Sequence, residues 1–179
     1  VDEIELVKAL QKGDAKAQRF LYERFAGPMM GVCVRYLKNE MDAEEVLING
    51  FMKVYQHVDR FEQKGSFEGW VRRIMVNEAL QHLRKQEPMH LAIEKEQYHL
   101  ASEDATPDSD MSAEEMMEML HGLPAGYRAV FNLYAIEGYS HKEIAEMLQI
   151  SEGTSKSQLS KARAMLQRML AQQGVMIVI

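Results

Sequence analysis

Apolar residues in this 179-residue chain recur three and four positions apart almost throughout, and the alternation of a half-buried strand is nearly absent, so the chain reads as all-α. Helices are expected at about Glu3 to Lys12, Ala15 to Phe25 and Pro28 to Leu37, with Gly27-Pro28 breaking the last two apart. Asp42 is expected to cap the next helix, with Glu45 as its capping-box partner, and Leu47, Phe51, Val54, Tyr55 and Val58 form the buried stripe. The opposite face carries Asp42, Glu45, Asn49, Lys53 and Gln56. A loop from Phe61 to Gly65 leads to a long helix capped by Ser66. It runs through Phe67, Trp70, Val71, Ile74, Leu80 and Leu83 to about Gln86, with Pro88 as its stop.

From Glu87 to Met111 the periodicity is lost, acids accumulate, and Ser102, Thr106-Pro107 and Ser109 mark a linker. Ser112 and Glu115 then form a capping box. The chain is therefore expected to be two small helical domains, 1–87 and 112–179, joined by an acidic flexible linker at 88–111. Near its end, Tyr139 to Leu166 reads as helix, turn and longer helix. Ser140 and Glu143 cap the first, Ile144, Ala145 and Leu148 give it an apolar face, and Ser151 to Gly153 make the turn. Leu159, Ala162, Leu166 and Met169 line one side of the longer helix, while Lys156, Lys161, Arg163 and Arg168 make the other side basic, with Ser157, Gln158 and Ser160 between them. A helix that enters the major groove needs this division between charges for phosphates and short polar groups for base edges. A helical hairpin with a merely solvated basic side would show the same pattern.

A net charge of −6 does not oppose that reading, because the charge is segregated. Seven acids and no Lys or Arg lie between Glu103 and Glu118, whereas Arg72-Arg73, Arg84-Lys85 and the last helix are basic. The acidic segment would compete with DNA for the basic helices, follow the path where single-stranded or nascent nucleic acid will run, or serve as a solvated connector. No apolar run reaches the roughly 20 residues of a membrane span, no signal-peptide pattern opens the chain, and the single Cys33 suits a small buried thiol. A cytoplasmic protein without membrane insertion is expected.

Three segments together resemble the extracytoplasmic-function sigma factors, small bacterial initiation factors of two globular regions. Asp42-Ala-Glu-Glu-Val-Leu-Ile-Asn-Gly-Phe-Met-Lys-Val-Tyr55 is similar to the family's helix that docks on the polymerase clamp. Phe61 through Asn77, with Leu83-Arg-Lys85, is similar to its promoter-melting segment. Leu123-Pro-Ala-Gly-Tyr-Arg-Ala-Val-Phe131, Glu137 to Ala145 and Gly153-Thr154 are similar to its reader of the upstream element. The resemblance implies a non-enzymatic alternative sigma factor that needs no cofactor and no metal. Its partners would be core RNA polymerase, promoter DNA and an anti-sigma factor, and it would be a monomer when free.

The same resemblance implies polymerase binding by Asp42, Glu45, Asn49, Lys53 and Gln56, and minus-ten contacts by Lys64, Arg72, Arg73, Asn77, Arg84 and Lys85. Lys156, Ser157, Gln158, Ser160 and Lys161 would contact the minus-thirty-five element, with Gln158 as the base reader. Asn77 would either touch a base or bond within its own domain, whereas Phe67, Trp70 and Tyr55 read as core. The chain departs from the family pattern at several positions. Ile48-Asn49 stands where Gln-Glu is usual, Gln149 where Gly is preferred in the turn, and Gln158 where Arg is common. Ser155 replaces a usual Val and is expected to bond back to a carbonyl.

Two other readings follow from residues alone. A stand-alone helix-turn-helix regulator would use the first domain for a ligand or partner. A di-iron bundle would use the pairs Glu96/His99 and Glu118/His121, but no second set of inward carboxylates is apparent. The apolar end Val175 to Ile179 would pack on its own second domain or on a partner.

Overall fold

The computed structural model describes residues 2–86 and 111–172, and every regular element among them is helical. They belong to two compact units, Val1–Lys85 and Gln86–Ile179. Most of the expected linker, the Glu96/His99 pair and the Val175 to Ile179 tail lie outside the described residues. No helix among the described residues is long and apolar enough to cross a membrane.

The first unit contains α1 (Glu3–Gln11), α2 (Ala15–Tyr36), α3 (Glu40–His57), a 3₁₀ turn (Val58–Arg60) and α4 (Phe67–Gln86). The helices expected to part at Gly27-Pro28 are one, because α2 passes through Pro28 without ending. A proline inside a helix costs about 3 kcal/mol. Against that, Leu21, Phe25, Met29, Val32 and Tyr36 continue one buried stripe across it, and burial of each large apolar side chain contributes about 1.5–3 kcal/mol. Burial wins. Cys33 lies on the same helix, wholly buried as expected, and that burial pushes its thiol up to about 12.

The start of α3 also differs from expectation. Asn39, not Asp42, is the cap, with its Oδ1 accepting from the Met41 N–H at 2.9 Å. This places Asp42 inside the first turn, where it faces His82 of α4 at 3.5 Å. Where α3 meets α4, Gly50 leaves room for the buried Met75, whose sulfur a Cβ there would overlap and displace. Ser66 caps α4 as expected, accepting from the Gly69 N–H at 3.0 Å, and Glu3 of α1 takes the Phe67 N–H at 3.0 Å.

The second unit contains α5 (Ala113–Gly122), α6 (Ala125–Phe131), a π-helical turn (Asn132–Ile136), α7 (His141–Leu148) and α8 (Glu152–Gln172). Both expected capping boxes are formed, by Ser112 with Glu115 and by Ser140 with Glu143. Leu120, Leu123 and Ala162 join α5 to α8, with Tyr127, Phe131, Met165 and Leu166 packed around them. Gln149 ends α7 in the left-handed region, φ 56° and ψ 45°, a conformation that costs a non-glycine residue roughly 1 kcal/mol.

Candidate nucleic-acid interface

On α4, one side is buried from Phe67 to Leu83, and the other side is polar. Arg73, Asn77, Gln81 and Arg84 follow one another at spacings of four, four and three, so they form one exposed stripe, and Lys85 is exposed beside its end. Asn77 therefore faces solvent and is not folded into its own domain's core. Arg72 is half-buried and interacts within the protein. Gln81 escaped the sequence reading, although its position one turn from Asn77 was the available signal.

The loop that precedes α4 is closed underneath by an aromatic cluster. Phe61 meets Phe67 edge-on at 5.1 Å, and Trp70 lies 5.7 Å from both rings. Phe67 is fully buried and Trp70 half-buried, in keeping with packing roles. Between these anchors Gln63 and Gly65 take positive φ, 56° and 85°, so the exposed part of the loop is sharply bent. Lys64 is exposed and paired with Glu62, two residues before it, at 2.6 Å, a surface contact of little energetic weight.

The expected docking face of α3 divides. Glu45, Asn49 and Gln56 are exposed, but Asp42 faces His82 at 3.5 Å and Lys53 is paired with Glu78, both on α4. These two side chains connect α3 to α4 and do not extend the polar face. Met41, Ile48 and Met52 are also exposed there, at 76%, 56% and 51%, so the outward side of α3 is mixed polar and apolar. Tyr55 is half-buried and donates its hydroxyl hydrogen to the Gln18 carbonyl at 3.1 Å, with burial raising its pKa above the ordinary phenol value.

On α8, Lys156 and Ser157 are exposed, whereas Ser160 and Lys161 are half-buried on the same side and Lys161 also interacts within the protein. Gln158 does not join them. It is only 4% exposed, and it falls three residues after Ser155 and four before Ala162, both wholly buried. The same helical spacing that exposes Ser157 turns Gln158 into the buried face, which removes it as the exposed base reader. Ser155 is on the buried side as expected, but its Oγ meets Nδ1 of His141 on α7 at 2.8 Å instead of a carbonyl of its own helix. His141 stacks on Tyr134 at 4.6 Å, and the Arg163 guanidinium lies 5.7 Å from the centroid of that same Tyr134 ring. Glu118 and His121 sit on α5, and no group of three or more metal-ligating residues occurs among the described residues.

These two polar helix faces coincide with two family descriptions. Residues 21–88 match sigma-70 region 2, and residues 113–166 match sigma-70 region 4. The ECF RNA polymerase sigma-E factor of Haemophilus influenzae is 31% identical over 175 residues, which cover 90% of this chain and 92% of that protein. The chain belongs to the ECF sigma factors. The Escherichia coli sigma-E factor is 30% identical over 170 residues, 88% of either chain. A solved structure of a Bartonella quintana sigma factor in complex with an anti-sigma factor matches with a TM-score of 0.56 at 23% identity, covering 86% of this chain and 96% of that one, and supports the fold.

As an ECF sigma factor, the protein is an alternative initiation factor that directs transcription and is not an enzyme. That family membership separates it from a stand-alone regulator and from a di-iron protein, since neither carries both sigma regions in order along one chain. Two ECF sigma factor residues with clear structural roles were invisible in the sequence pattern. Glu3 caps α4 from 64 residues away, and His141 reaches Ser155 across the helix-turn-helix.

Proposed function

We propose that the two units divide the work of initiation. The first, 1–87, holds core polymerase and opens the minus-ten element, and the second, 112–179, reads the duplex at the minus-thirty-five element. The observation that carries this most directly is the exposed Arg73, Asn77, Gln81 and Arg84 stripe beside the bent Phe61 to Gly65 loop. Opening a duplex requires charges that track phosphates and amide or aromatic groups that receive a base taken out of the stack. Arg73, Arg84, Lys85 and Lys64 provide the charges, Asn77 is the base contact with Gln81 next to it, and Arg72 braces the helix from its half-buried position.

Polymerase binding falls to Glu45, Asn49 and Gln56 on α3, together with the exposed Ile48 and Met52, while Asp42 and Lys53 hold α4 on α3. On the upstream duplex, Lys156 and Lys161 meet phosphates while Ser157 and Ser160 approach base edges. The factor acts in the cytoplasm as a monomer when free. An anti-sigma factor is the expected regulator, and the Bartonella quintana neighbour was solved in complex with one.

The test is to mix the full chain with core RNA polymerase and a duplex pool randomised at two blocks one promoter spacing apart, then probe with permanganate. Thymines that react in the downstream block only when protein and polymerase are both present support the division of roles. Duplex binding without polymerase, and no opening with it, would overturn it.

A further inference from the structure

His141 opens α7 and lies stacked on Tyr134, with 20° between the rings. From that position its Nδ1 meets the Oγ of Ser155, a wholly buried side chain on the underside of α8 and the immediate neighbour of Lys156. Two turns along α8, Arg163 sits over the same Tyr134 ring. One aromatic side chain before α7 thus gathers contacts from the first residue of α7 and from the middle of α8, and a hydrogen bond joins the two helices at their N-terminal ends. Apolar contacts permit one helix to slide or rotate on another at modest cost. A hydrogen bond with one end buried does not, because a small shift leaves the enclosed Ser155 hydroxyl unsatisfied.

We propose that His141 is a positioning residue for promoter reading, its bond to Ser155 fixing the rotation of α8 on α7 and so the direction in which Ser157 and Ser160 meet the base edges of the upstream duplex. This rests on the reading of α8 as the upstream-element helix. The surroundings favour the neutral imidazole that such a bond uses. Burial lowers its pKa from the ordinary histidine value, Lys156 and Arg163 lower it further, and only Glu152 pulls the other way. A neutral ring accepts from the Ser155 hydroxyl or donates to it according to its tautomer.

The test uses the full chain bound to core polymerase, selecting from a duplex pool randomised at the upstream element, followed by competition between the enriched sequence and a scrambled one. His141→Phe keeps the ring on Tyr134 and removes the bond. His141→Asn keeps a polar atom where Nδ1 stands. Loss of the bond in His141→Phe is expected to lower the preference for the enriched over the scrambled sequence by about tenfold, with affinity for the scrambled duplex unchanged. His141→Asn recovers most of the preference, and adding Ser155→Ala to His141→Phe costs nothing more. A His141→Phe protein that melts like the original and keeps the full preference would overturn the proposal, with Ser155 then satisfied by its own helix. Equal losses on both duplexes would also overturn it, as damage to the fold alone. If the unaltered protein enriches no upstream sequence, the reading of α8 itself fails, and this is distinguishable from failure of the clamp.

Discussion

The long helices α4 and α8 both turn a polar, basic side outward, yet they rest on different undersides. Beneath α4 every wholly or nearly buried residue is apolar, from Phe67 through Val71, Met75, Val76, Ala79 and Leu80 to Leu83. Beneath α8 the buried set is Leu159, Ala162 and Leu170 together with Ser155 and Gln158. An apolar underside holds a helix by area and is insensitive to small changes of angle, whereas a polar one holds it by pairing and is intolerant of them. By this contrast, the helix proposed to open DNA is held chiefly by apolar area, with the Lys53–Glu78 pair at its edge. The helix proposed to read DNA is anchored for orientation.

The largest effect that would sharpen this contrast lies under α4. Leu80→Ala should destabilise the first unit by about 2–5 kcal/mol, read from the midpoint of urea unfolding, with the second unit's transition unmoved. A loss well under 1 kcal/mol would mean that α4 does not depend on its apolar side in the way the burial suggests. On α8 the comparison is between two side chains two positions apart and of opposite exposure. Lys156→Ala should weaken binding to all duplex sequences alike and flatten the salt dependence by about one unit of slope. Gln158→Leu should leave the selected upstream sequence unchanged, because that side chain is buried; a changed preference would restore it as a base reader.

A smaller effect is expected where α7 hands over to α8. Gln149→Gly removes the left-handed strain and should raise the stability of the second unit by about 1 kcal/mol in the same urea experiment. The smallest effect is in pH. His141 has its pKa lowered by burial in the folded protein, so the unfolded chain binds the proton more readily. The second unit's stability is therefore full above a pH of about 6.5 and declines as pH falls below it. Thermal melts of the original protein and of His141→Asn should diverge on acidification, with the variant flatter. Parallel curves would mean that the imidazole is not buried enough to matter.

Features set by neighbours in the chain were legible in the sequence. Both Ser-x-x-Glu capping boxes and the Ser66 cap depend on contacts within one turn, and each formed as expected. Elsewhere distant packing outweighs a local signal. Pro28 is a strong stop in isolation, but the stripe from Leu21 to Tyr36 carries the helix past it. Asp42 and Glu45 imitate a capping box, yet Asn39 takes the cap and frees Asp42 to reach His82. Gln158 was read from its chemistry, not from its place on the helix, although Ser155 and Ala162 already fixed that place. The partner of Ser155 could not be read at all, because it stands 14 residues away on another helix.

The buried Cys33 gives the protein a reporter on itself. The chain contains one cysteine, and inside α2 its thiol is both shielded and held far from the thiolate form that reacts with alkylating reagents. Labelling at neutral pH is therefore limited by how often the core around α2 opens, so its rate counts those openings directly. Followed as polymerase is added, that single rate would register whether docking tightens the first unit or loosens it, with no probe introduced into the sequence.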